Sequence, residues 1–333
     1  MSDWEYRRGL QEIGRGAFAY LQPDGGWGWS NAGLISDSGQ SLLVDTLFDL
    51  HLTAEMLTAM HDAVPASRRI DTLVNTHSDA DHIYGNQLVE GARIVMSEAA
   101  ASEFFKVPPA LIDEIVTHPE KYGEGGEYLR QHMGRHLFDF SRIVLTPPTE
   151  TFSLETEIRV GDKRVVLRNV GPAHTAGDVV VHVPDDGVVY TGDLLFIGGH
   201  PAVWDGDVEG WIRACDYIMS LDAKVIVPGH GPLTDRQGVA RFRSYLQMLL
   251  DETRSRFEAG MPIEDAAYEI ATMEEFADWH LPERIAGSVD FLYGKMGASD
   301  SSGNIIETFA RLARNAKRHA ATSEGHGPDC NCH

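Results

Sequence analysis

Apolar residues along this chain switch between strand-like runs and helical spacing in successive blocks. Residues 17–46 read "AFAYLQPDGGWGWSNAGLISDSGQSLLVDT", short apolar runs divided by Gly, Pro, Asn and Asp, as in a β-meander. A helix is predicted from about Leu50 to Ala63, then the β-rich "IDTLVNT", then helical stretches over roughly 98–140. A second strand block reads "EIRVGDKRVVLRNVGPA", "DVVVHVP" and "GVVYTGD". A helix near 207–220 precedes the strand of "KVIVPGHG". From about Thr234 to Lys317 apolar residues recur at three- and four-residue spacing, as in "VARFRSYLQMLLDETRSRF".

Strands, helices, strands and helices in that order predict an α/β fold of two packed sheets with helices outside. The expected organisation is a catalytic domain over 1–235, a helical C-terminal extension over 236–320 packed on it, and a tail over 321–333. That tail, "ATSEGHGPDCNCH", is small and polar and is expected to be disordered. Its His326, Cys330, Cys332 and His333 are metal-binding residue types, but a closed site needs ordered partners. No short-period repeat interrupts the pattern.

Composition narrows the function. The hydrophobic fraction of 43% and charged fraction of 23% are those of an ordinary globular protein. With 50 acidic and 28 basic residues the formal net charge is −22, which repels nucleic acid and anionic membrane surfaces. No apolar stretch is long enough to span a bilayer, and "MSDWEYRRGLQEIG" lacks the pattern of a secretory signal. Three cysteines, two of them in the last four residues, do not make a disulfide framework. A cytoplasmic location is the expectation, with a small-molecule substrate and no nucleic-acid or membrane partner. Either a homo-oligomer such as a dimer or assembly with a related subunit is compatible with these properties.

The candidate chemistry is concentrated in "NTHSDADHIYGN", where His77, Asp79, Asp81 and His82 fall within six positions. Four further residues close apolar runs: Asp45 in "SLLVD", His174 in "VGPAHTAGD", Asp193 in "VVYTGDLLF" and His230 in "VIVPGHG". Singly each is weak, since a loop histidine is usually a surface residue and an Asp in such a turn usually serves turn chemistry. Jointly, His and Asp recurring at successive strand ends is the pattern of a divalent-metal site, which needs imidazole and carboxylate ligands converging from separate segments. Cys215, mid-helix in "WIRACDYIM", reads as a core residue.

This set resembles the metallo-β-lactamase fold superfamily, whose signature is H-x-H-x-D-H followed by a His, an Asp and a final His. The resemblance covers roughly residues 15–235 and implies an αββα sandwich with one or two metals at the edge of its sheets. It implies that His77 and His174 are site-one ligands, that Asp81, His82 and His230 are site-two ligands, and that Asp193 bridges them. Asp45 matches an early Asp that supports the ligands from behind. Asp79 departs from the pattern, standing where the superfamily usually has its second His. Three readings of it are open: a carboxylate ligand of site one, as in the similar flavodiiron proteins; a weak or empty site one; or a base or substrate contact. Asp79 and Asp81 are the carboxylates expected to take part in catalysis.

Three carboxylates make the cluster less positive than an all-imidazole one, which favours harder ions. Zinc, one or two ions per chain, is the first expectation, with iron or manganese next. The implied chemistry is hydrolysis, a metal-activated water attacking an electrophilic carbon. Trp27, Phe196, His200 and Trp204, in Gly-rich loops near the expected mouth, are candidates for an apolar substrate pocket. Of these, His200 is expected rather to face solvent. The texture of "GGWGWSNAGLI", "NTHSDADHIYGNQLV" and "PAVWDG" resembles a bacterial branch of the fold known simply as hydrolases, which is similar to enzymes that displace substituents from activated aromatic rings, such as hydrolytic dehalogenases and nitroaryl ether hydrolases. Lactone, thioester and β-lactam hydrolysis are the other chemistries considered. Two readings from other classes remain: a di-iron redox protein of the flavodiiron kind, and a catalytically silent subunit of a hydrolase complex.

Overall fold

The computed structural model describes residues 4–23 and 25–324. In a seven-stranded sheet, β1 (Gly9–Gly14), β2 (Ala17–Leu21), β3 (Ala32–Asp37), β4 (Gln40–Val44), β5 (Thr72–Val74), β6 (Arg93–Ser97) and β7 (Glu150–Phe152) lie side by side in chain order. The pairs from β1 to β4 are antiparallel and those from β4 to β7 parallel. The second sheet comprises β8 (Glu155–Val160), β9 (Lys163–Asn169), β10 (Val179–Val183), β11 (Val188–Tyr190) and β12 (Val225–Val227). Its order is β12-β11-β10-β9-β8, and only β11 and β12 pair in parallel.

Parallel neighbours require crossover connections, and helices supply them. The helix α1 (Leu50–Ala63) links β4 to β5, and the short α2 (Ala80–Ile83) follows β5. Three helices lie between β6 and β7: α3 (Glu98–Glu103), α4 (Pro109–Thr117) and α5 (Gly123–Met133). α6 (Val208–Ser220) links β11 to β12. In α1, Leu52, Met56, Leu57 and Met60 bury one stripe, and the Asp49 carboxylate accepts the Leu52 N–H at 2.8 Å to cap the helix.

Because successive strand residues point to opposite faces, each strand feeds two cores. Leu21, Ile35, Leu42, Val44 and Val74 of the first sheet meet Val165, Leu167, Val181, Tyr190 and Val227 of the second. Their alternates Tyr20, Leu34, Leu43 and Leu73, with Val180, Val189 and Ile226, pack outward beneath the helices. The result is a four-layer αββα sandwich.

Four more α-helices follow among the described residues: α7 (Arg236–Glu258), α8 (Ile263–Ala271), α9 (Arg284–Lys295) and α10 (Ile305–Glu324). α7 packs on α6, and α10 packs on α5 and α9. Phe242 and Tyr245 of α7 and Trp279 stack on one another, and Trp211 of α6 meets Phe242 at 5.7 Å between ring centroids. Cys215 is buried in α6.

Two expectations are corrected here. The helical block after residue 98 ends at Met133, and residues 134–149 are irregular up to β7. α10 continues through Glu324, so the first four residues of the expected disordered tail are helical. The Lys, Arg and Ala residues of "KRHAA" are good helix formers that carry the helix past the end of its packed face. The tail's His326, Cys330, Cys332 and His333 lie outside the described residues.

Candidate metal centre

Asp45 follows β4 with φ at 62°, a left-handed conformation that is strained for a residue with a side chain. From there its buried carboxylate accepts the Thr76 N–H and the Thr76 hydroxyl, each at 2.7 Å, and meets His82 Nδ1 at 3.0 Å. This fixes the loop after β5 and the ring of His82 together. The His82 carbonyl is held in turn by the Thr46 N–H at 3.0 Å and the Asn75 side-chain amide at 2.9 Å. His82 lies within α2 rather than at a strand end, because the chain turns helical directly after Asp79.

Three histidines have their tautomers set by these contacts. His82 Nδ1 faces a carboxylate, and His230 Nδ1 faces the Trp29 carbonyl at 3.2 Å; both partners can only accept. His77 Nδ1 lies 3.0 Å from the Thr76 hydroxyl, whose own proton goes to Asp45. Nδ1 is therefore a donor in all three rings, and Nε2 is the nitrogen that each turns toward the cluster.

Those nitrogens converge on Asp193. Its Oδ2 lies 3.9 Å from His77 Nε2 and 3.5 Å from His174 Nε2, while its Oδ1 lies 3.0 Å from His82 Nε2 and 3.3 Å from His230 Nε2. Asp79 Oδ2 adds to the first group, 3.2 Å from His174 Nε2 and 3.8 Å from His77 Nε2. Asp81 Oδ2 adds to the second, 3.3 Å from His230 Nε2 and 3.9 Å from His82 Nε2. The ligand atoms of His77, Asp79 and His174 all lie within 4.8 Å of one another, as do those of Asp81, His82 and His230, and those of His77, His82 and Asp193. His77 Nε2, His82 Nε2 and Asp193 Oδ1 are buried and face one another without hydrogen-bond geometry, an arrangement that a cation among them would satisfy better. The cluster thus fits a divalent metal by donor type, by direction and by the unmet polarity of its inner atoms.

The charges are interlocked. Burial disfavours ionisation of Asp193, but His230 and His82 outweigh it and hold the carboxyl well below the usual range. Burial likewise opposes a charge on His82, yet Asp193, Asp81 and Asp45 raise it well above the ordinary histidine value. His174 is raised to about 9 against its burial by Asp79 and Asp193, whereas burial and the neighbouring His82 lower His77. In this state the protons on the rings stand in for positive charge that a cation would supply.

Glycines make the close approaches possible. A Cβ at Gly229 would lie 2.0 Å from Asp193 Oδ1, and one at Gly192, where φ is 51°, would lie 2.2 Å from the Thr76 hydroxyl. The Gly of "TGD" and the first Gly of "PGHG" are therefore required by the packing of the cluster itself.

The structure treats the four expected pocket residues differently. Phe196 stacks on the His230 ring at 4.9 Å between centroids and borders a cavity of about 50 Å³, with Tyr6, Trp29, His230 and Arg284. Trp27 and Trp204 stack on each other at 5.4 Å and do not border that cavity. His200 does not face solvent: it is buried, with Nδ1 3.0 Å from the Tyr245 hydroxyl and Trp279 beside it. Helix α7 and the segment before α9 cover it, a contact that local sequence does not announce. Sequence reasoning also passed over Asp178, buried and accepting from Thr175 N–H at 3.0 Å and Thr175 hydroxyl at 2.8 Å, which braces the His174 loop. Its signal was present in "HTAGD", a Thr and an Asp at turn spacing. Arg284 had none.

Residues 25–230, well over half of the chain, match the family model described as the metallo-beta-lactamase superfamily. The chain belongs to that superfamily. This superfamily member is similar to the human acyl-coenzyme A thioesterase MBLAC2, 24% identical over 224 residues, which are 60% of this chain and 72% of the relative. Among solved structures it is similar to a metallo-beta-lactamase from Pontibacter korlensis, with a TM-score of 0.53 and 22% identity over 72% of this chain and 99% of that one. It is also similar to the sec-alkylsulfatase Pisa1 from Pseudomonas sp., with a TM-score of 0.66 and 15% identity over 89% of this chain but 51% of that one. These likenesses establish the fold, and the second extends into the C-terminal helices. No helix among the described residues is long and apolar enough to cross a membrane.

Proposed function

We propose that this superfamily member is a metal-dependent hydrolase that cleaves a small, largely apolar substrate at an acyl carbon, of the thioester or lactone class. The observation that carries this reading is the pair of three-residue groups, each in contact with Asp193, with buried imidazole nitrogens turned inward. His77, Asp79 and His174 would hold one ion, Asp81, His82 and His230 the other, and Asp193 would lie between them. Mixed imidazole and carboxylate donors suit zinc first, with iron and manganese next. A divalent cation there supplies Lewis acidity and acidifies the water it binds.

The chain's own residues do the rest. Asp45 holds His82 in one tautomer, and the Trp29 carbonyl does the same for His230. Asp79, with 30% of its side chain exposed, is the ligand-type carboxylate nearest solvent, and its contacts to His174 and His77 favour the ligand reading. Phe196, flat against His230, keeps water off one side of the cluster. The relative named as an acyl-coenzyme A thioesterase favours an acyl substrate. Displacement on an activated aromatic ring is the second reading, favoured by Tyr6, Trp29 and Phe196 on the cavity wall.

Metal analysis of the purified protein, with hydrolysis assays on thioesters, lactones, β-lactams and nitroaryl ethers before and after chelation, tests this. Chelator-sensitive, zinc-restorable turnover of a thioester or lactone is expected. Stoichiometric iron with a visible absorption band would favour the di-iron redox reading. A protein that takes up no metal would favour the silent-subunit reading.

A further inference from the structure

We propose that Arg284 forms a subsite for an anionic group on the substrate, a carboxylate, seated beside the metal cluster. The proposal rests on the hydrolase reading only for what the bound molecule then undergoes; the binding itself stands on the following observations.

Arg284 opens α9 and is only 4% exposed. A buried guanidinium stays charged and ordinarily has an acidic partner. The comparable buried arginine in this chain, Arg311, follows that rule with Glu264 and Asp290. Arg284 does not: among the described residues no carboxylate lies within ion-pair distance of it. Its sequence neighbour Glu283 is turned away to accept the Tyr128 hydroxyl at 2.9 Å. Nη1 donates to the His200 carbonyl at 3.1 Å, and Nε is buried with no acceptor. The guanidinium lies 4.0 Å over the Trp27 ring, which fixes its plane, and Trp27 is itself held by Trp204 on stacking and by the Tyr128 hydroxyl at 3.2 Å. A rigid, flat cation with donors to spare is the arrangement that receives a carboxylate.

Its position says which carboxylate. Arg284 and the cluster residue His230 border the same cavity, and Phe196 spans between them, stacked on His230 and 5.9 Å from the Arg284 guanidinium carbon. At about 50 Å³ the cavity has room for one compact group. Tyr6, Trp29, Ile197 and Leu281 give it largely apolar walls, to which His280 adds an imidazole. The carboxylates of Asp81 and Asp193, the nearest negative charges of the cluster, are engaged by imidazoles and would be claimed by any cation there. Glu283, Asp193 and Asp81 offset the Arg284 charge only from a distance, which leaves the place of a direct partner to a group from outside. The preferred substrate is therefore a small molecule with an apolar or aromatic body and a carboxylate near the scissile carbon.

Titrating the full-length, zinc-loaded protein with benzoate and its neutral isostere benzamide, followed by calorimetry, tests the subsite. Benzoate is expected to bind at least ten-fold more tightly. In Arg284→Gln that preference should vanish with metal content unchanged. Equal binding of the two probes by the unmodified protein overturns the proposal, as does a preference that survives in Arg284→Gln, which would put the carboxylate on the metal. Should that variant not fold, the Nε–H resonance of Arg284 in the unmodified protein decides: it should move with benzoate and not with benzamide, and a signal indifferent to benzoate overturns the subsite. Failure of the hydrolase reading would appear instead as absent turnover, with benzoate binding intact.

Discussion

The Asp45 carboxylate lies 3.0 Å from Nδ1 of His82, and it reaches there from a backbone strained into the left-handed region. The strain is held in place because the same carboxylate satisfies both the N–H and the hydroxyl of Thr76. Asp45→Ala should relieve little and lose much, leaving Thr76 donors buried and His82 free to change tautomer. Zinc affinity should fall about 10- to 100-fold, with a stability loss of about 1–3 kcal/mol. Competition with a chromophoric chelator and denaturant titration measure the two effects, and an affinity within two-fold of the parent would remove Asp45 from its supporting role.

Asp79 offers the sharpest stoichiometric test. Its Oδ2 stands nearer His174 than His77, on the side of the cluster away from His82. Asp79→Ala should lower the metal content toward one ion per chain, leaving the group around His82 loaded. Asp79→His, which adds a neutral donor in place of an anionic one, should restore the second ion and shift preference toward zinc. Unchanged stoichiometry in Asp79→Ala from a two-metal parent would show that this carboxylate is not a ligand.

Gly229 is expected to be intolerant of even a methyl group. The added carbon in Gly229→Ala would sit 2.0 Å from Asp193 Oδ1, so the carboxylate between the two groups must swing away. Metal uptake should fall at both groups together, unlike the one-sided loss expected for Asp79→Ala. An Ala variant with full metal content would mean that the loop can yield at no cost to the cluster.

His200 should make the protein sensitive to acid independently of the metal. Burial, reinforced by the charge of Arg284, lowers its pKa to about 4. The unfolded chain takes up a proton near pH 6.5, so the stability from keeping this ring neutral is fully present above that value. It is lost as pH falls toward 4. Between pH 7 and pH 5 the loss attributable to His200 should be about 2 kcal/mol. His200→Gln, which keeps a partner for Tyr245, should show a correspondingly smaller drop in denaturant midpoint over that interval. Identical pH profiles for the two proteins would mean that the ring is not protonated on unfolding in this range.

Much of this architecture is legible in the sequence because local chemistry and tertiary role coincide. The strands of both sheets carry unbroken or alternating apolar runs, and α1 carries its stripe and its capping Asp49, so pattern and packing agree. The convergence of His77, His82, His174, Asp193 and His230 is foreshadowed by the density of His and Asp at chain turns, which packing alone seldom produces. The remainder depends on contacts with no local signature. The Trp29 carbonyl that orients His230 is a backbone atom that any residue would supply. His200, flanked by Gly and Pro, reads as exposed until Tyr245 and Trp279 cover it. Arg284 is one arginine among many in a helical region, and only its missing partner distinguishes it.

The cluster draws from both sheets: His77, Asp79, Asp81 and His82 from the connection after β5, and His174, Asp193 and His230 from the segments that follow β9, β11 and β12 of the second sheet. Between the sheets the packing is chiefly aliphatic, and aliphatic contacts resist separation without enforcing alignment. A cation gripped from both sides acts as a removable rivet, pinning distant stretches of chain and excluding the half-open conformations in which the sheets slide apart. Proteases that need such openings would then find a metal-loaded protein harder to nick than the metal-free one.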